Sequence, residues 1–323
     1  MKFEVLDTKD IAVLSTLDKN SRLTYSQIAR NVKLSKQSVE YRINSLITRK
    51  VLKLCRAVID YENLGYNYYR IYLQLTGLSP EEEQKFLQDI YTMPRVNRIT
   101  LLDGTWDCAI TILSRDPYGA RDTIDRIQAV YGTKIKSKMV LISTYCELYT
   151  HKFLNPDFEI IKLPSGEKNI CALDELDKGI LNELSKNARS PLIVMASKLN
   201  TSYKVISYRI KRLEKSLIHA YTIELDYVTL GLGRYRVFVE LQNITKEKQE
   251  EIIVFLRSSP TILSFTKTIG KFDMEFNCIA KDSSEFHTTL TEFRAKFPDL
   301  IKDYSMCITT ESLVPEHISQ FTF

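Results

Sequence analysis

Two segments of the chain carry apolar residues at the spacing of an amphipathic helix, and the two segments match each other. The match extends without a gap over residues 20–46 and 187–213, at a constant offset of 167 residues. A self-match of this length identifies an internal repeat. The apolar positions follow an i, i+4, i+7 pattern, which predicts one buried helix face, at Val39, Ile43 and Leu46 and again at Ile206, Ile210 and Leu213.

Capping residues divide each repeat into two short helices joined by a tight turn. Thr24 followed by Gln27 predicts a capping box at the start of the first helix. In the second copy, Ser190-Pro191 predicts the same start with proline at the first helical position. Ser35 and Ser202 are suitable N-caps for the helices that follow. Each repeat therefore predicts a helix–turn–helix.

The face opposite the apolar stripe of each second helix is polar. It carries Gln37, Tyr41 and Asn44 in the first copy, and Lys204, Tyr208 and Lys211 in the second. Amides, tyrosine and lysine on an exposed helix face are what a reader of the DNA major groove presents. The alternative is an ordinary solvated helix face. We predict contacts with double-stranded DNA for Ser35, Lys36, Gln37, Tyr41, Arg42, Asn44, Ser202, Lys204, Tyr208, Arg209, Lys211 and Arg212.

Two of these predicted contacts have a second interpretation. Arg42 and Arg209 lie beside the apolar stripe, so that each side chain reaches either a DNA phosphate or an acidic residue of its own unit. The sequence favours the phosphate only slightly.

The distribution of charge supports a nucleic-acid partner. The chain has 323 residues and a formal net charge of +5. Residues 1–53 carry +6 and residues 173–220 carry +4, whereas residues 54–172 carry −1 and residues 221–323 carry −4. The positive charge is thus concentrated in the two helix–turn–helix segments, as expected of DNA-binding modules attached to domains of another kind.

Beyond each repeat, strand-like and helix-like patterns alternate in the order βαββαβ, which is that of a ferredoxin-like domain. Strands are predicted near residues 68–75, 95–102, 107–113 and 138–148, and again from residue 235 and near residues 262–269, 272–280 and 305–314. Helices are predicted after Ser79-Pro80, Asp116-Pro117, Thr245 and Asp282. The extended residues 51–60, directly after the second helix of the first repeat, predict a wing.

We therefore predict an α+β protein with two winged helix–turn–helix domains, each followed by a ferredoxin-like effector and dimerisation domain. The winged domains are residues 1–53 and 173–220, the ferredoxin-like domains are residues 54–152 and 221–323, and residues 153–172 form a linker. Pro156, Pro164, Ser165 and Gly166 are typical of such a connection.

The ordered recurrence of these residues resembles the leucine-responsive (Lrp/AsnC) transcription regulators. The resemblance covers nearly the whole chain twice, and its marks are Leu6-Asp7, Asp10, Leu14, Leu17, Asn20, Arg22, Ala29, Leu34-Ser35, Arg42 and Leu46, and again Leu173-Asp174, Asp177, Leu181, Leu184, Asn187, Arg189, Ala196, Ser202, Arg209 and Leu213. The chain departs from that family in holding two units, in having Lys50 and Ser216 where a wing glycine is common, and in having Thr201 at the position of Leu34.

The resemblance implies an amino-acid effector and pairing of the two units. The effector domain of that family has a Gly-x-aromatic-Asp turn, to which residues 104–107 and 270–273 are similar. The implied effector-binding residues are Gly104, Asp107, Gly270 and Asp273. The two glycines have a simpler interpretation as hairpin positions that need a positive φ. Since the family pairs single units, the two copies are expected to pair within this chain, and further association of chains stays open.

Other function classes are less favoured by the sequence. The four histidines have no counterparts between the copies; these histidines are His151, His219, His287 and His317. Since the sequence also has no phosphate-binding loop, we expect no enzyme and no cofactor. Tyrosines at positions 68, 69 and 72 raise RNA binding by the sheet as an alternative. A further alternative is a small-molecule-sensing assembly protein with weak or no DNA binding.

The six cysteines and the N-terminal residues suggest a cytoplasmic protein. The cysteines show no CxxC motif and no metal-ligand spacing with histidine, so that neither a metal site nor a disulfide is expected. Residues 1–10 contain no apolar signal segment. No run of about 18 apolar residues occurs, and we expect no membrane span.

Overall fold

The computed structural model describes residues 5–164 and 172–314, and these divide into two compact units. The first unit contains residues 5–64, 148–161 and 172–232, and the second contains residues 65–147, 162–164 and 233–314. Each unit therefore takes one part from each sequence repeat. In the described parts of the chain, no helix is long and apolar enough to cross a membrane.

The two copies have corresponding helices and strands. In the first copy they are α1 (Thr8–Lys19), α2 (Tyr25–Val32), α3 (Lys36–Thr48), β1 (Leu52–Ile59), β2 (Asn67–Leu75), α4 (Pro80–Thr92), β3 (Val96–Gly104), β4 (Cys108–Ser114), α5 (Pro117–Tyr131) and β5 (Ile135–Tyr149). After β6 (Ile160–Leu163) they are α6 (Glu175–Lys186), α7 (Leu192–Lys198), α8 (Tyr203–Leu213), β7 (Ile218–Leu225), β8 (Gly233–Leu241), α9 (Lys246–Ser258), β9 (Ile262–Ile269), β10 (Met274–Ala280), α10 (Ser283–Lys296) and β11 (Ile301–Leu313).

The predicted helix starts are confirmed with one exception. The Thr24–Gln27 capping box is present, and Ser35 and Ser202 accept hydrogen bonds from backbone N–H groups three residues on. The prediction for α7 was wrong in detail, because Pro191 is the N-cap and no side chain caps this helix. Proline has no N–H group and a fixed φ, so that it also suits this flanking position.

In the first unit, the strands that follow α3 and α8 pair with each other. β1 and β7 form an antiparallel ladder in which Ala57 lies opposite Tyr221. The sequence predicted β1 as an extended segment but gave no partner for it. Two equivalent arginines add contacts between the copies, since Arg22 donates to the carbonyl of Ala188 and Arg189 donates to that of Ser21. The two helix–turn–helix segments are thus joined through backbone hydrogen bonds.

In the second unit, the two βαββαβ segments share one sheet. The strand order is β2-β4-β3-β11-β8-β10-β9-β5-β6, and β2 also pairs with β5. Eight strands therefore form a closed ring of pairings, with β3–β11 and β9–β5 as the two junctions between the copies. Closure leaves these eight strands without a free edge.

Successive side chains along the strands of this ring lie on alternate faces of the sheet. Ile71, Leu73 and their neighbours pack with residues of α4 and α5, such as Phe86 and Ile127. The opposite face forms a core from both copies, whose members are Tyr72, Leu102, Trp106, Ala109, Met139, Leu141, Phe238, Phe272 and Cys307. Burial of Tyr69 and Tyr72, at 5% and 0% exposure, leaves neither ring able to stack on an RNA base.

The segment between the copies is more ordered than a plain linker in its described part. Residues 160–163 form the strand β6, which the sequence did not predict. Residues 165–171 of the predicted linker, including Ser165, Gly166 and Cys171, lie outside the described residues. The compact unit that holds both helix–turn–helix segments extends to Leu64 and Leu232, whereas the predicted winged domains end at residues 53 and 220.

Candidate nucleic-acid interface and effector site

The recognition helix α3 is held by its apolar stripe and presents its polar face to solvent. Val39, Ile43 and Leu46 are buried. The predicted reading residues Gln37, Tyr41 and Asn44 are exposed, as are Ser35 and Lys36 at the start of the helix. The side chain of Tyr41 is 74% exposed. The amphipathic pattern therefore placed this face correctly.

The corresponding helix α8 has the same geometry but a different surface. Lys204, Tyr208 and Lys211 are exposed, and Ser202 and Arg212 are also exposed. The polar pattern of α8 did not indicate that the neighbouring surface is apolar. Ile193, Val194, Tyr203 and Val205 are exposed in the first turns of α7 and α8, where the first copy has Ser26, Gln27, Lys36 and Ser38.

The structure shows the ion pair that the sequence gave as the second interpretation of Arg42. Its Nη1 lies 2.7 Å from an oxygen of Asp7 and 2.7 Å from an oxygen of Asp10. A backbone N–H of Asp10 and the charge of Arg42 hold the pKa of Asp7 below its usual value despite some desolvation. Arg49 also pairs with Asp10, at 2.8 Å. The charge of Arg42 is thus paired within the first copy, and its contact with a DNA phosphate stays a prediction.

Arg209 and Arg212 of the second copy are paired in the same way. Arg209 lies 2.7 Å from Asp174 and 3.2 Å from Asp177, and Arg212 also pairs with Asp177. Asp177 is fully buried, so that removing these arginines would leave a buried carboxylate without its counter-charge. Arg209 and Arg212 are therefore engaged in ion pairs within the second copy, and their contacts with DNA stay a prediction.

The two Gly-x-aromatic-Asp turns have a structural role in the second unit. Asp107 accepts a hydrogen bond from the N–H of Leu75 at 2.6 Å, and Asp273 accepts one from Leu241 at 2.7 Å. Each carboxylate thus satisfies a backbone donor at the end of a neighbouring strand. The carboxylates that the resemblance assigns to an effector are already engaged with the backbone.

The glycines of these turns lie where the two copies approach each other. Gly104 and Gly270 have φ values of +129° and +146°. A Cβ atom at Gly104 would lie 3.1 Å from the carbonyl oxygen of Met306. At Gly270 it would lie 2.6 Å from Leu141 and 2.8 Å from the carbonyl oxygen of Val140. Glycine is required by contact between the copies as well as by backbone conformation.

Gly270→Ala is expected to destabilise the chain more than Gly231→Ala. Gly231 also has a positive φ, of +70°, but nothing lies within 4 Å of a Cβ atom there. Only the change at Gly270 adds overpacking, at about 1–3 kcal/mol. In urea, the free energy of unfolding should therefore be about 2 kcal/mol lower for Gly270→Ala than for Gly231→Ala. Equal values for the two variants would contradict a close contact at this junction.

A buried polar network connects the two copies inside the ring. Glu275 on β10 is fully buried, pairs with Arg70 of β2 and accepts a hydrogen bond from the Tyr72 hydroxyl. Arg236 of β8 donates to the same hydroxyl at 3.1 Å. Burial raises the pKa of Glu275, but the charges of Arg70 and Arg236 outweigh burial and place it below the usual value.

Sequence reasoning missed this network. Its one signal was a pair of arginines at equivalent positions of two otherwise apolar strands, Arg70 in YYRIYLQL and Arg236 in RYRVFVEL. Charged residues are rarely buried unless they are paired. Such a pair therefore indicates an internal counter-charge, although it does not say which acidic residue supplies it.

The described histidines are engaged separately. In the first unit, His151 lies 2.9 Å from Asp18 and 2.8 Å from the Tyr227 hydroxyl, and His219 lies 3.1 Å from Asp60. His287 is on α10, and His317 lies outside the described residues. In residues 5–164 and 172–314, no group of three or more histidine, cysteine or acidic side chains is arranged to hold a metal ion.

Comparisons with known proteins agree with this architecture. A family profile described as "Winged helix-turn-helix DNA-binding" matches residues 6–53 and 173–216. An uncharacterized HTH-type transcriptional regulator of Pyrococcus furiosus is 30% identical over 115 residues, which are 35% of this chain and 77% of that protein. The chain belongs to the Lrp/AsnC family of HTH-type transcriptional regulators. These relatives have DNA-binding domains.

Two further matches describe the tandem arrangement. The HTH-type transcriptional regulator LysM of Saccharolobus solfataricus is 26% identical over 140 residues, 43% of this chain and 96% of LysM. LysM thus corresponds in length to one of the two sequence copies. The crystal structure of the siroheme decarboxylase NirDL aligns with 94% of this chain and 91% of its own, with a TM-score of 0.62 and 11% identity. At that identity the likeness concerns the fold alone.

Proposed function

We propose that this protein is a sequence-specific DNA-binding transcriptional regulator whose activity is modulated by an amino acid or a similar small effector. The observation that carries the proposal is the exposed face of α3, where Gln37, Tyr41 and Asn44 stand free above a buried apolar stripe. Amide side chains can pair with adenine edges in the major groove. The family membership supports the same role.

The second recognition helix supports affinity more than sequence reading. Lys204 and Lys211 are exposed on α8 and carry no ion pair among the described residues. Lysines mostly contact phosphates, which supply binding energy and little sequence information. Since the two helices present unlike faces, we expect the preferred DNA site to be asymmetric.

The proposed effector role rests on the second unit. Two ferredoxin-like segments enclose a face that includes buried arginines from both copies, and arginine is well suited to the carboxylate of an amino acid. Direct binding by Asp107 or Asp273 is less favoured than the sequence suggested, because both carboxylates accept backbone hydrogen bonds. We propose a binding role without catalysis for this unit.

Selection of DNA fragments from a genomic pool by the full chain tests the DNA-binding role. We expect enrichment of a defined asymmetric sequence, and an affinity for it that falls steeply as salt rises, because phosphate contacts release counterions. Retention of folded protein with no enrichment and no salt-dependent binding would contradict the proposal. That result would favour the alternative of a small-molecule-sensing assembly protein.

A further inference from the structure

The repeat creates two equivalent places inside the ring, one around Arg70 and one around Arg236. Different side chains occupy them. Residues of the second copy follow those of the first at an offset of 166, so that Arg70 corresponds to Arg236 and Ala109 corresponds to Glu275. The pairing of the strands shows the same correspondence. Ala109 lies opposite Tyr72, and Glu275 lies opposite Phe238. One place therefore has a carboxylate where the other has a methyl group.

In the place around Arg70, the guanidinium has both a carboxylate and hydroxyl groups as partners. Glu275 supplies its counter-charge. The Nε of Arg70 donates to the Ser143 hydroxyl at 2.8 Å, and a terminal nitrogen lies 3.3 Å from the Thr266 hydroxyl. A buried guanidinium is stabilised when a carboxylate and neutral acceptors surround it in this way.

The place around Arg236 lacks its carboxylate. Arg236 is 7% exposed, and it donates hydrogen bonds to two neutral groups, the Asn277 side-chain oxygen and the Tyr72 hydroxyl, each at 3.1 Å. Within the described residues no acidic group lies at ion-pair distance from it. Ala109 contributes only a methyl group at the position where Glu275 serves Arg70. The partly buried Arg70 and the buried Arg236 thus share one buried glutamate.

Polar atoms without partners occur on the same interior face. The Thr309 hydroxyl is the counterpart of the Ser143 hydroxyl that binds Arg70, but it is buried and has no hydrogen-bond partner among the described residues. The Ser305 hydroxyl is in the same state. The β8–β11 ladder places Ser305, Cys307 and Thr309 opposite Phe238, Arg236 and Arg234, so that all face the same side.

Trp106 adds an indole donor to this place. The residue is 7% exposed, and its Nε1 is buried with no hydrogen-bond partner in the part of the chain that the structure describes. The Trp106 ring lies 6.2 Å from the Tyr72 ring, and the Arg236 guanidinium lies 5.8 Å from the same ring. A guanidinium, an indole N–H and hydroxyl groups are all able to donate hydrogen bonds to a carboxylate.

We propose that Arg236 binds the carboxylate of a small organic acid or amino acid, in the place that Glu275 fills for Arg70. Trp106 belongs to the turn of residues 104–107, so that only the turn of the first copy takes part. The chain binds one such ligand, because Glu275 occupies the equivalent place as an internal substitute. This inference deepens the proposed effector role and rests on it.

Acetate is the smallest probe of this site, and thermal unfolding of the full chain in sodium acetate tests it against sodium chloride at equal ionic strength. We expect acetate to raise the melting temperature of the wild type more than chloride does. In Ala109→Glu the new carboxylate should pair with Arg236, so that the apparent affinity for acetate falls at least ten-fold. An undiminished acetate response in this variant would overturn the proposal.

Ala109→Gln is the matched control, because it adds a side chain of the same size without a charge. We expect Ala109→Glu to melt at a higher temperature than Ala109→Gln, since only glutamate neutralises Arg236. If Ala109→Glu does not fold, Arg236→Gln replaces it and should also lose the acetate response. The reverse order of melting temperatures, or an acetate response in Arg236→Gln equal to that of the wild type, would overturn the proposal.

DNA binding by the same proteins separates this proposal from the proposed function. A wild type that binds DNA but responds to acetate no more than to chloride would overturn the carboxylate site alone. A wild type that responds to acetate but binds no DNA would leave the carboxylate site in place and contradict the regulator role.

Discussion

Glu275→Gln is expected to lower the free energy of unfolding by about 3–5 kcal/mol, the typical cost of removing one partner from a buried ion pair. Glutamine keeps the shape of the side chain but leaves Arg70 and Arg236 inside the ring without any negative charge. Arg70 pairs with Glu275, and the Tyr72 hydroxyl donates a hydrogen bond to it. Arg236 in turn donates to the Tyr72 hydroxyl. Equilibrium unfolding in guanidinium chloride measures the loss.

The pH dependence of unfolding gives an independent check on this residue. The pKa of Glu275 is below its usual value of 4.5 in the folded chain. A lowered pKa contributes stability that is fully present above the unfolded-state pKa and is lost as the pH falls through the folded-state pKa. The wild type should therefore lose this contribution below about pH 4.5, and Glu275→Gln should show a flatter acid limb.

Glu240→Gln is a suitable control for Glu275→Gln. Glu240 pairs with Lys302, whose side chain is 57% exposed. Exposed ion pairs contribute about 0–1 kcal/mol, so that this variant should unfold almost as the wild type does. If the two glutamine variants lost similar stability, the network in the ring would not be an important source of cohesion between the copies.

Replacing Lys204 and Lys211 together by alanine is expected to weaken binding to every DNA sequence. Loss of two phosphate contacts should lower the slope of log affinity against log salt by about two units. Filter binding or fluorescence anisotropy at several salt concentrations measures this slope. The double variant Lys246→Ala and Lys281→Ala removes the same charge from the second unit and should leave the slope nearly unchanged.

Replacing Gln37 and Asn44 by alanine should instead reduce discrimination between sequences. Each lost base contact is expected to cost about 1–3 kcal/mol on the preferred site, while binding to unrelated DNA changes little. If the lysine variant lost selectivity and the amide variant lost only general affinity, the roles of α3 and α8 would be reversed. If neither variant changed binding, these helices would not contact DNA.

Local signals predicted most helices and strands because capping and periodicity act over a few residues. The Thr24–Gln27 box starts α2 where the sequence placed it, and Asp282 caps α10. The buried stripe of α3 also identified the exposed Gln37, Tyr41 and Asn44 correctly. Such predictions succeed because each depends only on neighbours within one or two helical turns.

Long-range pairing was beyond these signals. The sequence predicted residues 51–60 as extended, but it predicted no strand at β7 and no pairing of β1 with β7. For Arg42 the sequence allowed a phosphate or an acidic partner, and only the fold shows that Asp10 lies at ion-pair distance. The choice of Glu275 as the partner of Arg70, 205 residues away, likewise depends on the closed ring.

The ladder between β1 and β7 has a consequence for dilution. A regulator made of two separate chains dissociates as its concentration falls, and its apparent stability then depends on concentration. Here the two helix–turn–helix segments belong to one molecule, so that their pairing is a unimolecular equilibrium. A cell that makes only a few copies of this protein would still hold every one of them with both reading helices assembled.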